Sequence, residues 1–212
     1  MQKKLFFFFL LCPLFQVIPH IKDINSVETI ISYIVFIVTD YAFCLIVYWV
    51  SCKVMNKIKW KLKDYILFVT GLVVVDQILK LIIYKVNPDF NIIGTLLKIR
   101  IKENYHQMAI LNFFDIEINS LSIIFFKSLL IIFILVVFMC IKNKNSNHIL
   151  AFVFLFSTGV ATLVDSICWG YTLDYIYFYN LAVFDLKDFY SDVAVGLILL
   201  DQLVVTKPKI KG

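Results

Sequence analysis

Apolar residues along this chain fall in long runs separated by short polar connections, a pattern that reads as helices crossing a bilayer rather than as alternating strands. The runs cover Leu5 to Ile18, Val27 to Val50, Tyr65 to Tyr84, Asn119 to Ile141, Ile149 to Cys168 and Phe189 to Val205. The first is broken by Pro13 and falls short of the roughly 20 residues a span needs. Preceded by Lys3 and Lys4, it has the shape of a signal-peptide core, but charge parity favours a short first transmembrane helix. Lys53, Lys57, Lys59, Lys61 and Lys63 mark the next connection as cytoplasmic, the side on which Lys3 and Lys4 also belong. Residues 5 to 50 therefore form a helical hairpin. Lys142 and Lys144 mark a second inner connection, and Lys207, Lys209 and Lys211 an inner tail. The pattern predicts six helices with both termini in the cytoplasm.

Two segments break the pattern on the outer side. Residues 86 to 118 are polar, and within them Thr95 to Ile101 alternates as a strand, Leu97, Ile99 and Ile101 facing one way and Lys98, Arg100 and Lys102 the other. That basic face suits lipid headgroups or an anionic substrate as well as plain solvation. Trp169 to Lys187 is rich in Tyr and Trp, as expected of a loop lying at the outer interface. The architecture expected is an all-α polytopic membrane protein carrying a small external β-containing segment between its third and fourth helices. Residues 1–60 make the hairpin with its basic connection, and residues 61–212 the main membrane domain.

Composition agrees with the pattern: 61% of residues are hydrophobic and the mean hydropathy is +0.89. The net charge of +5 resides largely in the connections, where lysine reports topology, so no nucleic-acid partner is expected. The five cysteines, Cys12, Cys44, Cys52, Cys140 and Cys168, contain no CxxC pair and imply neither a disulfide framework nor a metal centre. His106 stands without ligand-spaced partners.

The candidate chemistry lies in charges set within apolar runs, where each is expensive. Asp76 and Lys80 are four apart and share a helix face, roughly 18 Å from the cytoplasmic end of their helix. They can serve as a structural ion pair or in catalysis. Lys127, about two turns inside its span, is expected to snorkel to the headgroups rather than to face the acids. Asp165 ends one helix at the outer side and Asp188 begins the next, which puts two carboxylates at one depth. Two acids so placed suggest a dyad sharing one proton, with carboxylates about 3 to 5 Å apart.

Three motifs give this arrangement a family likeness. Asp76-Gln77-Ile78-Leu79-Lys80 resembles the DQxxK of bacterial lipoprotein signal peptidases (signal peptidase II), and Gly159 to Ser166 resembles their GxxGNLIDR. Trp169 to Ile176 is close to LGYVVDFI, and Phe184-Asp185-Leu186-Lys187-Asp188 resembles FNxAD. The likeness runs from about Tyr65 to the C-terminus. It implies a four-helix membrane aspartyl endopeptidase that removes signal peptides from lipid-modified prolipoproteins, without metal or cofactor, in the bacterial cytoplasmic membrane and as a monomer among membrane lipids. It also puts Asp165 and Asp188 on the catalytic aspartates, with Asp76, Gln77, Lys80, Asn104, Asn112, Thr162, Ser166 and Asp185 in substrate binding or support. Thr162 and Ser166 replace the family Asn and Arg, and Asp185 another Asn; Asn104 or Asn112 stands for an external Asn motif. Lys127 or Lys187 could replace the missing Arg charge. Asp40, in the added hairpin, inherits no role. Two other readings fit the same charges: a non-catalytic relative that binds lipidated peptides or serves a membrane complex, and a small transporter using Asp40, Asp76, Lys80 and Lys127.

Overall fold

A computed structural model describes residues 2–18, 26–57, 61–105, 118–142, 144–179 and 182–205. Asn112 and His106 lie outside the described residues. The described residues fold into six helices and a small sheet: α1 (Gln2–Val17), α2 (Val27–Lys57), α3 (Leu62–Val86), β1 (Asp89–Ile93), β2 (Leu97–Asn104), α4 (Ser120–Cys140), α5 (Ser146–Cys168), β3 (Thr172–Phe178), β4 (Ala182–Phe184) and α6 (Leu186–Val205). Among the described residues four helices, α2 to α5, are long and apolar enough to cross a membrane. The other two differ for local reasons: α1 has 16 residues, and α6 carries Lys187, Asp188 and Asp192 in its first two turns.

The most buried helix face belongs to α6, which packs on α5, α1, α2 and α3. Val193, Ala194 and Leu197 of α6 meet Phe154 and Leu150 of α5 and Phe9 of α1 in one apolar cluster. Gly196 makes the α1 crossing possible, because a Cβ there would stand 2.4 Å from the Phe9 ring. By contrast α4 turns Leu121, Phe125, Phe126 and Phe133 outward. In water such a face would be a liability; in a bilayer, apolar surface meets apolar lipid.

The sheet is larger than the pattern predicts. Its order is β1-β2-β3-β4, all antiparallel, so the segment expected as an interfacial loop supplies two of its four strands. Strand β2 confirms the expected alternation in outline, with Leu97 buried and Arg100 and Lys102 exposed. Strand β3 is buried on both faces over Thr172 to Tyr175, which erases the period of two that would mark it. Phe178, Phe184 and Phe36 of α2 cluster by ring contact at 4.9 to 5.7 Å, fastening the sheet to the hairpin. A second tie is polar: Gln16 Nε2 donates to both oxygens of Asp192, at 2.7 and 2.8 Å, and Asp192 hydrogen-bonds to fully buried Asp40. A bond between two carboxyls requires a proton on one of them, so Asp40 acts in attaching the hairpin to α6.

Candidate functional site

Four local structures converge where α3, α5, β3 and α6 meet. On α3, Asp76 and Lys80 lie one turn apart, both fully buried, with a 2.9 Å ion pair. On α5, Asp165 sits in the last turn. Its carbonyl accepts from the N–H of Trp169 at 2.9 Å and of Gly170 at 3.2 Å, and Gly170 takes φ +75°, a left-handed turn that suits glycine. That turn redirects the chain from α5 into β3 and carries Asp174 inward. At the start of α6, Asp185 and Asp188 cap each other: the Asp188 N–H donates to Asp185 Oδ1 at 3.3 Å, and the Asp185 N–H to Asp188 Oδ2 at 3.0 Å. The N–H of Leu186 finds the Tyr175 hydroxyl at 3.2 Å, so the first turn of α6 is held against β3.

Lys80 is the hub. Its ammonium lies 2.9 Å from Asp76, 2.7 Å from Asp165 and 2.8 Å from Asp185, all fully buried. These three carboxylates lie within 4.8 Å of one another, a spacing that suits a metal ion, and the Lys80 ammonium bonds to all three. Lys187 adds a second cation, 3.3 Å from Asp165 and directly bonded to Asp185. Gln77 completes the shell around Asp165, donating to its Oδ1 at 2.8 Å while accepting from the Trp169 indole at 3.2 Å.

A second acidic group shares only Asp185 with the first: Asp174, Asp185 and Asp188, again within 4.8 Å. Asp174 is 5% exposed and accepts from Asn104 Nδ2 at 3.2 Å. Burial, helped by the charge of Asp185, pushes its carboxyl up to about 7. Asp185 goes the other way. Burial alone would raise it, but Lys187 and Lys80 hold it below the usual carboxylate range. The result is one firmly ionised carboxylate, Asp185, beside one that titrates near neutrality, Asp174.

The expected residues are therefore distributed unevenly. Asp76, Gln77, Lys80, Asp165 and Asp185 form one network, while Asn104 and Asp188 join the other. Asp165 and Asp188, expected as partners, fall into different carboxylate groups, and Asp165 is engaged by two lysines and Gln77. Thr162 and Ser166 face Lys127, whose ammonium donates to Ser166 Oγ at 2.7 Å and to the Thr162 carbonyl at 3.2 Å. At 4% exposure Lys127 does not snorkel; inward hydroxyl and carbonyl partners outcompete a reach to the headgroups. Sequence reasoning passed over Asp174. Its signal was present, an acid between Leu173 and Tyr175 in a run otherwise apolar or aromatic.

Apolar helices around a buried Asp–Lys network, with a small antiparallel sheet, define a membrane protein of the helical polytopic class. A family model described as Signal peptidase (SPase) II matches residues 67–204, more than half of the chain. The chain belongs to the signal peptidase II family, hydrolases of lipoprotein processing. It is 33% identical over 81 residues to a lipoprotein signal peptidase of Helicobacter pylori (strain Shi470), covering 37% of this chain and 52% of that one. It is also 36% identical over 70 residues to one of Sinorhizobium fredii, covering 31% and 42%. The chain thus spans about half the length of the curated relatives it matches. A solved bacterial membrane enzyme (in meso, 2.3 Å) shares its fold with a TM-score of 0.61 at 22% identity, over 73% of this chain and 96% of that one. Another, at 1.9 Å, gives 0.56 at 21%, over 71% and 97%.

Proposed function

We propose that this chain is a membrane aspartic endopeptidase that cleaves signal peptides from lipid-modified prolipoproteins, with Asp174 and Asp188 as its dyad. The observation that carries the reading is the second carboxylate group: Asp174 and Asp188 within 4.8 Å, next to an Asp185 whose charge is fixed by lysine. Two like carboxyls so close share one proton, the condition for dividing acid from base work. The ionised member takes a proton from water as its oxygen attacks the scissile carbonyl. The protonated member donates to the departing nitrogen as the tetrahedral intermediate collapses. The reciprocal cap fixes Asp188 and Asn104 orients Asp174, so the acids need little reorganisation. Asp165, the acid the motifs point to first, serves in this reading as counter-charge to Lys80 and Lys187.

The same reading sets the protein in the bacterial cytoplasmic membrane, termini inside and site toward the outer leaflet, where the acyl chains of a lipidated substrate stay in lipid. The hairpin of residues 1–60 is an added module joined to the peptidase portion through Asp40 and Asp192. The test is cleavage of a diacylglyceryl-modified prolipoprotein by the purified protein and its Asp165→Asn, Asp174→Asn and Asp188→Asn variants. Asp174→Asn and Asp188→Asn should abolish release of the signal peptide, while Asp165→Asn retains activity in proportion to its folded fraction. Loss in Asp165→Asn with activity kept in Asp174→Asn would restore the Asp165–Asp188 dyad. No cleavage by the unmutated protein would end the peptidase reading.

A further inference from the structure

Lys127 is the single charged residue of α4, the most apolar of the four spans. An ammonium in such a helix is costly unless it meets acceptors and compensating charge. Its acceptors include two neutral groups, Ser166 Oγ at 2.7 Å and the Thr162 carbonyl at 3.2 Å. Beyond them lie charges of both signs, the ammoniums of Lys187 and Lys80 as well as the carboxyls of Asp165 and Asp174. The two acidic groups together hold five carboxyls, Asp76, Asp165, Asp174, Asp185 and Asp188, against the two ammoniums of Lys80 and Lys187. A third cation brings the site closer to neutrality with fewer bound protons.

We propose that Lys127 is a positioning residue of this site, a cation that reaches from α4 through Ser166 and Thr162 and supports the acids at the end of α5 and in β3. This rests on the peptidase reading for its kinetic consequence but not for its electrostatic one. The variants are Lys127→Met, Lys127→Arg and the relocation Lys127→Met/Ser166→Arg, which returns a cation to the corner from α5. On the lipidated substrate, Lys127→Met should lower kcat at least about tenfold with KM within about twofold, and the relocation should recover most of that loss. A separate arm follows the Asp174 carboxyl by infrared titration, identified by difference from Asp174→Asn. Its midpoint should rise in Lys127→Met and return in the relocated variant. An unchanged midpoint would overturn the inference, as would a relocated variant that melts like the unmutated protein yet performs no better than Lys127→Met. Absence of cleavage in every variant removes the peptidase reading, and the infrared arm then decides on Lys127 alone.

Discussion

Replacing Asp174 by Asn should make the protein more stable at neutral pH and inactive at every pH. The side chain is 5% exposed, and its carboxyl is raised from 3.8 to about 7 by burial and by the neighbouring Asp185 charge. The folded state therefore holds a proton that the unfolded chain releases at much lower pH. The Asp174 contribution is fully present below the ordinary carboxylate value and fades as pH rises to about 7. A displacement of that size corresponds to roughly 4 kcal/mol in all, of which roughly 2.5 kcal/mol falls between pH 5 and pH 8. For a chain of this length each kcal/mol moves the melting temperature by about 2 to 4 °C, so the window is about 5 to 10 °C wide. Asn keeps the shape and offers Asn104 a neutral acceptor, leaving no carboxyl to ionise. Melting of both proteins in one detergent at pH 5, 6, 7 and 8 is the assay. The unmutated protein should lose stability relative to Asp174→Asn across the series while only it cleaves substrate. Parallel melting curves would refute the assignment of a buried, near-neutral acid to Asp174, and cleavage by Asp174→Asn would refute its role in the dyad.

Lys80→Met leaves Asp76, Asp165 and Asp185 without the ammonium that joins them at 2.7 to 2.9 Å, and should cost about 3 to 5 kcal/mol. Melting should fall by at least about 6 °C, with partial recovery on adding Asp76→Asn; a fall under about 2 °C would show the hub to be dispensable. Gly196→Ala sets a Cβ at 2.4 Å from the Phe9 ring and should destabilise by about 1 to 3 kcal/mol, read by melting; an unchanged melting temperature would show that α1 does not pack on α6 this closely. Asp40→Asn still offers Asp192 a donor and should melt near the unmutated protein, whereas Asp40→Leu should lose about 1 to 3 kcal/mol. Equal melting of these two variants would remove Asp40 from the hairpin attachment.

The helices were legible because each apolar run is uniform enough to show through any local exception. The Asp76–Lys80 pair followed from a spacing of four on one face. The sheet was half legible. Strand β2 has an exposed basic face and alternates, but β3 is enclosed on both sides and reads like any Tyr-rich interfacial loop. Its pairing with β2 joins residues 68 to 81 positions apart, Lys98 with Tyr177 for example, and no local pattern encodes that contact.

The same limit explains the choice between the two acids of the α5–β3 region. Depth along a helix can be counted from sequence, and by depth Asp165 and Asp188 match, one closing a span and the other opening the next. Depth does not say what else reaches that level. Lys80 arrives from α3 and Lys187 from the start of α6, and together with Gln77 they surround Asp165 with direct bonds. Asp174 reaches the site by a different route: the left-handed turn at Gly170 folds β3 back beneath the end of α5, and burial then makes its proton easy to keep near pH 7. A base and an acid need unequal proton affinities, so the proposed dyad requires one carboxyl left without a cation of its own. Where Lys80 and Lys187 end therefore decides which acid that is, and the reach of two lysine side chains is a tertiary property that spacing along the chain does not carry.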